Sequence, residues 1–414
     1  MSHTHHIAIE APESISAAIT LPASKSISNR ALIINALSQH PCSLLNLSPS
    51  DDTATLAKAL AQAGGHVNIG AAGTAMRFLT AYFATVQGQT TVLDGSERMR
   101  VRPVKPLVDA LRQLGADISY CSRDGFPPLK ITGGRLTPRH LDIDGSISSQ
   151  FVSAILMIAP TVGDTSISIT GKALSMPYID MTLSIMNQFG ISAVRTGQEI
   201  TIRKGGYSHT GNFDIESDWS AASYWVAFAA LTAQPRVTLL GLSPHSVQGD
   251  SGIMQHLPAL GLHASWSGKN AICLDQCGSR ADFFEADFSG TPDIAQTFIA
   301  TLCLLGIPFR IHGLSNLKIK ETDRLAAMTA EMAKIGYRLT AGNDTISWLG
   351  EKCQPTPGVP SFDTHKDHRM AMSMALAATR CGKIIINDPD VVSKSYPVFW
   401  DDLALAGFKI THAS

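Results

Sequence analysis

The chain has 414 residues, enough for two or three folded units, each able to bury a core without disulfide or metal staples. Apolar residues make up 44% and charged residues 16%, and 33 basic against 34 acidic side chains leave a net charge of −1. That balance excludes general electrostatic affinity for nucleic acid or anionic membrane, so an anionic ligand must be met by cations gathered locally. The seven scattered cysteines read as reduced thiols. Cys273 and Cys277 lie four apart but lack the further ligands of a zinc site. MSHTHHIAIEAPE has no basic segment followed by an apolar one, so it does not read as a signal peptide. The most apolar stretches, near FVSAILMIAP and SYWVAFAAL, have about half the length that spans a bilayer. A soluble, cytoplasmic protein is expected.

Taken in chain order, the predicted elements repeat. An apolar helical stretch closes on glycine and an alternating strand follows: ALAQAG (Gly64), ALRQLG (Gly115), IMNQFG (Gly190), HLPALG (Gly261), EMAKIG (Gly336) and DLALAG (Gly407). Glycine is expected there because a left-handed residue ends many helices. After four of these glycines two alternating runs flank a turn, as in ISAVRTGQEITIRKG, which predicts a β-hairpin. The glycines are spaced 51, 75, 71, 75 and 71 residues apart. A second set of landmarks, polar helix starts at Ser26, Thr74, Ser149, Ser220, Asp293 and His368, is spaced 48, 75, 71, 73 and 75 apart. Six copies of one α/β unit are therefore predicted, the first lacking a hairpin after Gly64. They divide into three plus three, giving two similar α/β domains; a solenoid fits less well, because the helix starts differ chemically from one another.

Each chemically dense segment lies at or near one of those helix starts, where unpaired N–H groups favour anions. LPASKSISNRAL brings Lys25, Ser26 and Arg30, and GAAGTAMRFL brings Gly73, where only hydrogen permits close approach to the backbone. MRVRPV supplies Arg100 and Arg102, DGSISSQF supplies Ser148, Ser149 and Gln150, and SMPYID supplies Ser175 and Tyr178. The second half carries Asp293 in TPDIAQ, then Asn316, Lys320, Glu321 and Arg324 in SNLKIKETDRL. Arg369 follows in KDHRMAM and Lys394 in SKSYP. Lys320 and Arg324, four apart, would share a face if that segment were helical. Taken singly, the Ser, Thr and Asp residues read as ordinary caps and KETDR as a solvated charged face; the low overall charge makes so dense a cluster unusual. GDSG (Gly249–Gly252) has no serine-protease context, HKDH (His365–His368) lacks a third metal ligand, and no nucleotide-binding glycine motif is present.

In register from about Leu21 to Trp400, LPASKSISNRAL, AGTAMR, RPV, DGSISSQF, PDIA, KETDRL, DHRMAM and SKSYP closely resemble the 5-enolpyruvylshikimate-3-phosphate synthase family of enolpyruvyl transferases. The resemblance implies an inside-out α/β barrel architecture: two domains of three βαβαββ units each, hinged about a cleft that holds the active site. It places one domain at 23–216 and the other at 1–22 plus 217–414, with chain crossings near Ala23 and Glu216. It implies transfer of the enolpyruvyl group of phosphoenolpyruvate to the 5-hydroxyl of shikimate 3-phosphate by addition and elimination, with no metal or organic cofactor. By the same resemblance shikimate 3-phosphate contacts Lys25, Ser26, Arg30, Ser148, Ser149, Gln150, Ser175, Tyr178, Asp293, Asn316 and Lys320. Phosphoenolpyruvate contacts Lys25, Gly73, Arg102, Gln150, Arg324, Arg369 and Lys394. Asp293 is the implied base and Glu321 the implied acid, with Lys25 a proton partner. The partners expected are these small molecules, not nucleic acid or membrane, and a monomer is expected.

The chain departs from the family pattern at Ala71, where asparagine is usual, and at Phe78, which replaces a common proline. Inhibition by glyphosate, which family members bind at the phosphoenolpyruvate position, is expected because Gly73 leaves room. The sister enzyme acting on UDP-N-acetylglucosamine typically carries a reactive cysteine in the loop that here reads ERMRVRP, and no thiol stands nearer than Cys121. An inactive anion-binding relative is disfavoured by Asp293 and Glu321, whose carboxylates would weaken simple anion binding.

Overall fold

The computed structural model describes residues 5–62, 64–145, 148–171 and 175–413. Ala63 in ALAQAG, and Ser146 and Ile147 in DGSISSQF, lie outside them. The chain divides into two compact units, Ala23–Ile215 and Met1–Pro22 with Glu216–Ser414. Glu216 thus belongs with the second unit, one residue from the expected crossing. Its carboxylate accepts from Trp219 Nε1 at 2.8 Å, Ser243 N at 3.0 Å, Ser246 Oγ at 2.7 Å and Gln248 Nε2 at 3.0 Å. All four donors are in that unit, which is why the carboxylate anchors the chain there.

Among the described residues each unit carries three sheets, and five of the six share one pattern. Two parallel strands lie side by side and an antiparallel pair adds to the second of them; in four sheets that pair is a hairpin, and in the fifth it is His6–Glu10 with Lys409–Ala413, from the two ends of the chain. Gly65–Asn68, Thr90–Asp94, Leu129–Thr132 and Asp117–Tyr120 lie side by side in that order. His140–Asp144, Thr165–Thr170, Glu199–Ile202 and Ala193–Thr196 repeat it. The exception is the first copy, where Ser43–Leu45 pairs only with Asn212–Asp214. The missing hairpin therefore leaves a two-stranded sheet.

The N-terminal strands complete the other unit. Ser16–Thr20 runs parallel to Arg236–Leu240, and His6–Glu10 lies between Lys383–Asn387 and Lys409–Ala413. All six glycines of the repeat have φ between 78° and 100°, so the sequence period reflects one chain reversal made six times. Gly261 closes a 3-10 turn, Pro258–Leu260, in place of the α-helix expected from HLPALG.

Ser149–Val162 and Trp219–Leu231 are almost wholly apolar along their middle and so leave no polar stripe for solvent. Ser149–Val162 is buried from Phe151 through Pro160, and Trp219–Leu231 is buried everywhere but Ser220. In the first unit the helices Lys25–Leu37, Gly73–Thr85 and Ser149–Val162 run the same way, since Leu37, Val86 and Val162 at their far ends line one cavity. At the opposite end Gln150 Nε2 donates to Thr74 Oγ1 at 3.2 Å. In the second unit Arg380 donates to the carbonyls of Leu304 at 3.1 Å and Leu231 at 3.0 Å, tying two helix ends together. No helix among the described residues is long and apolar enough to cross a membrane.

Glu216→Ala would leave four donors without their acceptor, which at about 1–3 kcal/mol for each buried one lowers stability by at least about 2 kcal/mol. Thermal unfolding should show a midpoint several degrees lower; an unchanged midpoint would show that the carboxylate is not the anchor.

Candidate active site

In the unit Ala23–Ile215, Ser24 caps the helix Lys25–Leu37 by accepting from Ile27 N at 3.4 Å. Lys25, its first residue, reaches Asp52 Oδ2 at 3.3 Å. Arg30, one turn on, is buried among neutral groups. It donates to Thr182 Oγ1 at 2.7 Å, Ser153 Oγ at 3.3 Å, and the carbonyls of Ser26 at 2.9 Å and Tyr178 at 3.2 Å. The Phe78 and Tyr178 rings flank its guanidinium with centroids at 5.4 and 5.9 Å. None of these partners is anionic, and burial lowers the Arg30 pKa to about 10.

The other expected residues of this unit sit at neighbouring helix starts. Ser148 caps Ser149–Val162 by accepting from Gln150 N at 3.3 Å, so the ordinary cap role holds for it. Ser149 is buried beside it. Ser175, just before the helix Met176–Gln188, is left-handed with φ 59°, a costly conformation for a residue with a Cβ. Gly73 faces Arg102: a Cβ there would lie 2.7 Å from Arg102 Nη1 and 3.1 Å from Nη2. The space that glycine leaves is thus occupied by a guanidinium, not held open. Arg100 is bound to Asp94 at 2.6 Å and half exposed, which makes it a structural pair apart from Arg102.

In the other unit the centre is Arg324, first residue of the helix Arg324–Ala333. Asp323 caps that helix by accepting from Leu325 and Ala326 N–H groups, so Lys320–Asp323 is not helical. Lys320 is extended after the 3-10 turn Ser315–Ile319 that contains buried Asn316; a shared helix face for Lys320 and Arg324 is therefore corrected. Arg324 Nε meets Asp367 Oδ2 at 2.7 Å, Nη2 meets Glu321 Oε2 at 3.1 Å, and Nη1 meets Asp293 Oδ1 at 3.3 Å. Burial works against its charge, but Asp367, Glu321 and Asp293 together outweigh burial and raise its pKa.

Asp293 lies in the turn Pro292–Ile294 that leads into the helix Ala295–Leu305. Arg369, near the start of His368–Ala375, meets Asp293 Oδ2 at 3.0 Å and donates to its carbonyl at 2.8 Å. Lys394 Nζ stands 3.8 Å from Glu321 Oε1. Asp293, Glu321, Arg324, Arg369 and Lys394 therefore form one network, with two partly accessible carboxylates held against two buried arginines and a partly exposed lysine. Such a pair can take up and deliver protons, while the cations stabilise negative charge that develops nearby.

Sequence reasoning missed the groups that hold these residues. Asp367 both binds Arg324 and caps its own helix by accepting from Arg369 N at 2.9 Å. An aspartate just before the helical run DHRMAM is a cap signal that could have revealed it. Asp52, Ser153 and Thr182 carry no comparable signal. Among the described residues no group of three His, Cys, Asp or Glu is placed to hold a metal ion.

This fold is that of enolpyruvyl transferases. The chain is similar to an EPSP synthase from Acinetobacter baumannii, with TM-score 0.78, 22% identity, and 99% of this chain and 100% of that chain covered. It is also similar to the enolpyruvyl transferase NikO from Streptomyces tendae, with TM-score 0.77, 16% identity and 99% of each chain covered. In sequence, residues 9–68 and 61–403 match the family described as EPSP synthase (3-phosphoshikimate 1-carboxyvinyltransferase). A 3-phosphoshikimate 1-carboxyvinyltransferase from Bacteroides fragilis is 48% identical over 404 residues, 97% of this chain and 98% of that one. One from Idiomarina loihiensis is 37% identical, with 93% and 95% covered. The chain belongs to the EPSP synthase family.

Removing Asp367 would leave Arg324 without its shortest contact in a buried setting. Asp367→Ala should cost about 3–5 kcal/mol of stability, as for other broken buried pairs. Denaturant unfolding checks this, and a loss under about 1 kcal/mol would mean that Glu321 and Asp293 suffice for Arg324.

Proposed function

We propose that the chain transfers the enolpyruvyl group of phosphoenolpyruvate to the 5-hydroxyl of shikimate 3-phosphate, releasing phosphate, as a step of aromatic amino-acid biosynthesis. The observation that carries this reading is the placing of Asp293 and Glu321 on the same buried guanidinium, Arg324. Addition and elimination need a base and an acid held in fixed relation, and these two carboxylates fit those roles. Asp293 takes the proton of the 5-hydroxyl as its oxygen bonds to C2 of phosphoenolpyruvate. Glu321 protonates the methylene carbon, with Lys25 as a proton partner. The tetrahedral ketal then expels phosphate, and loss of a methyl proton restores the enol ether.

Each substrate carries a carboxylate and a phosphate. Arg30, buried with neutral partners only, would gain most from such a charge, since unlike charges about 4 Å apart attract by roughly 4 kcal/mol at an effective dielectric near 20. We assign Ser26, Arg30, Ser148, Ser149, Ser175, Tyr178, Asn316 and Lys320 to shikimate 3-phosphate, together with Asp293. Gly73, Arg102, Arg324, Arg369 and Lys394 are assigned to phosphoenolpyruvate, and Lys25 and Gln150 to both. The loop Glu97–Pro103 has arginines where the UDP-N-acetylglucosamine enzyme typically has its thiol, which supports shikimate 3-phosphate as the acceptor.

Asp293→Ala and Glu321→Gln should each lower turnover by roughly a hundredfold or more while leaving the fold intact by circular dichroism. Near-normal turnover in either variant removes that residue from its role. Gly73→Ala drives a methyl group against the Arg102 guanidinium, so it should raise KM for phosphoenolpyruvate several-fold and weaken inhibition by glyphosate. Equal constants for variant and parent, or no inhibition of the parent by millimolar glyphosate, would contradict the assignment of Gly73 and Arg102.

A further inference from the structure

GDSG, which has no protease context, places a carboxyl group beside the carboxylate–arginine network. Asp250 lies in the 3-10 turn Gly249–His256 and is 4% exposed. One of its oxygens, Oδ2, accepts from the Ser220 hydroxyl; the other, Oδ1, is buried without a hydrogen-bond partner among the described residues. Ser220 lies at the start of Trp219–Leu231, and Arg369 Nη2 approaches its Oγ at 3.4 Å. The same Arg369 nitrogen meets Asp293 Oδ2 at 3.0 Å. A line of contacts thus runs from Asp250 through Ser220 and Arg369 to Asp293.

A buried carboxyl with a bare oxygen is costly in structural terms alone, because each unmet polar group loses about 1–3 kcal/mol. An apolar residue would fill the place more cheaply, so the carboxyl calls for a role in the neighbouring network. We infer that Asp250 is a positioning residue for the transfer reaction: through Ser220 it orients Arg369 against Asp293, and its charge governs how firmly Asp293 holds a proton. This rests on the assignment of Asp293 as the base.

The charged groups acting on Asp250 come from three neighbouring elements. Asp293 faces it from Pro292–Ile294, Arg369 from His368–Ala375, and Asp218 from the cap of Trp219–Leu231. Burial, seconded by the charge of Asp293, pushes the Asp250 carboxyl up to about 7, while the Ser220 hydroxyl and Arg369 pull the other way. Below that pH Asp250 is neutral, and Asp293 feels one negative neighbour fewer. Above it, both carboxyls are charged, their repulsion makes Asp293 a stronger base, and the ionised Asp250 keeps the Ser220 hydroxyl turned away from Arg369. Two such groups release their protons as a pair, in steps that belong to neither alone.

The test is the pH dependence of kcat/KM for the full-length enzyme and two variants. Asp250→Asn keeps an acceptor for Ser220 but cannot ionise, so the acid limb should move down by about one pH unit relative to the parent. Ser220→Ala keeps both carboxyls but removes the donor that favours ionised Asp250, so Asp250 carries its charge over less of the pH range and the limb should also move down, by less than in Asp250→Asn. Titration of the substrate phosphates is common to all three proteins and cancels in the comparison. A role in packing alone would change the height of the profile and leave the limb in place. Superimposable limbs for the variants overturn the inference, and if Asp250→Asn does not fold, Ser220→Ala decides by itself. Normal turnover of Asp293→Ala would instead defeat the assignment of the base, whereas an inactive Asp293→Ala with unshifted limbs defeats only the role of Asp250.

Discussion

A guanidinium kept out of water must be surrounded by groups that favour its charge, and Arg324 meets that condition with three carboxylates from three separate segments. Asp293 comes from the turn before one central helix, Asp367 from the cap of another, and Glu321 from the extended link just ahead of Arg324 itself. None of these segments could shift far without stranding a buried charge, a loss of several kcal/mol. The position of the two carboxylates is thus set by charge pairing, while the buried helices set where the pairing can occur. Asp367, fully buried, spends its second oxygen on the cap of its own helix and so fixes Arg369 as well.

The other unit meets the same physical problem with a different solution. Arg30 is as deeply buried as Arg324, yet it is held by hydroxyls, carbonyls and two aromatic rings. Neutral dipoles orient a guanidinium without neutralising its charge. One unit therefore holds a buried guanidinium among neutral dipoles, and the other holds one among carboxylates that balance its charge.

The repeat was legible because it is written in backbone geometry. Six helix ends need a left-handed residue, and glycine appears at all six. The missing hairpin was legible for the same reason, as a gap in a regular spacing. Residues that would touch substrate stood out by their density in a weakly charged chain. Their supports did not: Ser153 and Thr182 look like any small polar residues in an apolar helix, and only packing shows that they face Arg30. Lys320 and Arg324 illustrate the opposite failure, since their spacing fits a helix that the Asp323 cap starts four residues later. Asp250 hid inside a motif familiar from another chemistry, and its meaning came from what it touches.

Release of inorganic phosphate on mixing the protein with phosphoenolpyruvate and one acceptor at a time tests the central claim most directly. Shikimate 3-phosphate should give stoichiometric phosphate and an enol ether product visible by NMR, and UDP-N-acetylglucosamine should give neither. Phosphate release with the nucleotide sugar, and none with shikimate 3-phosphate, would contradict the account.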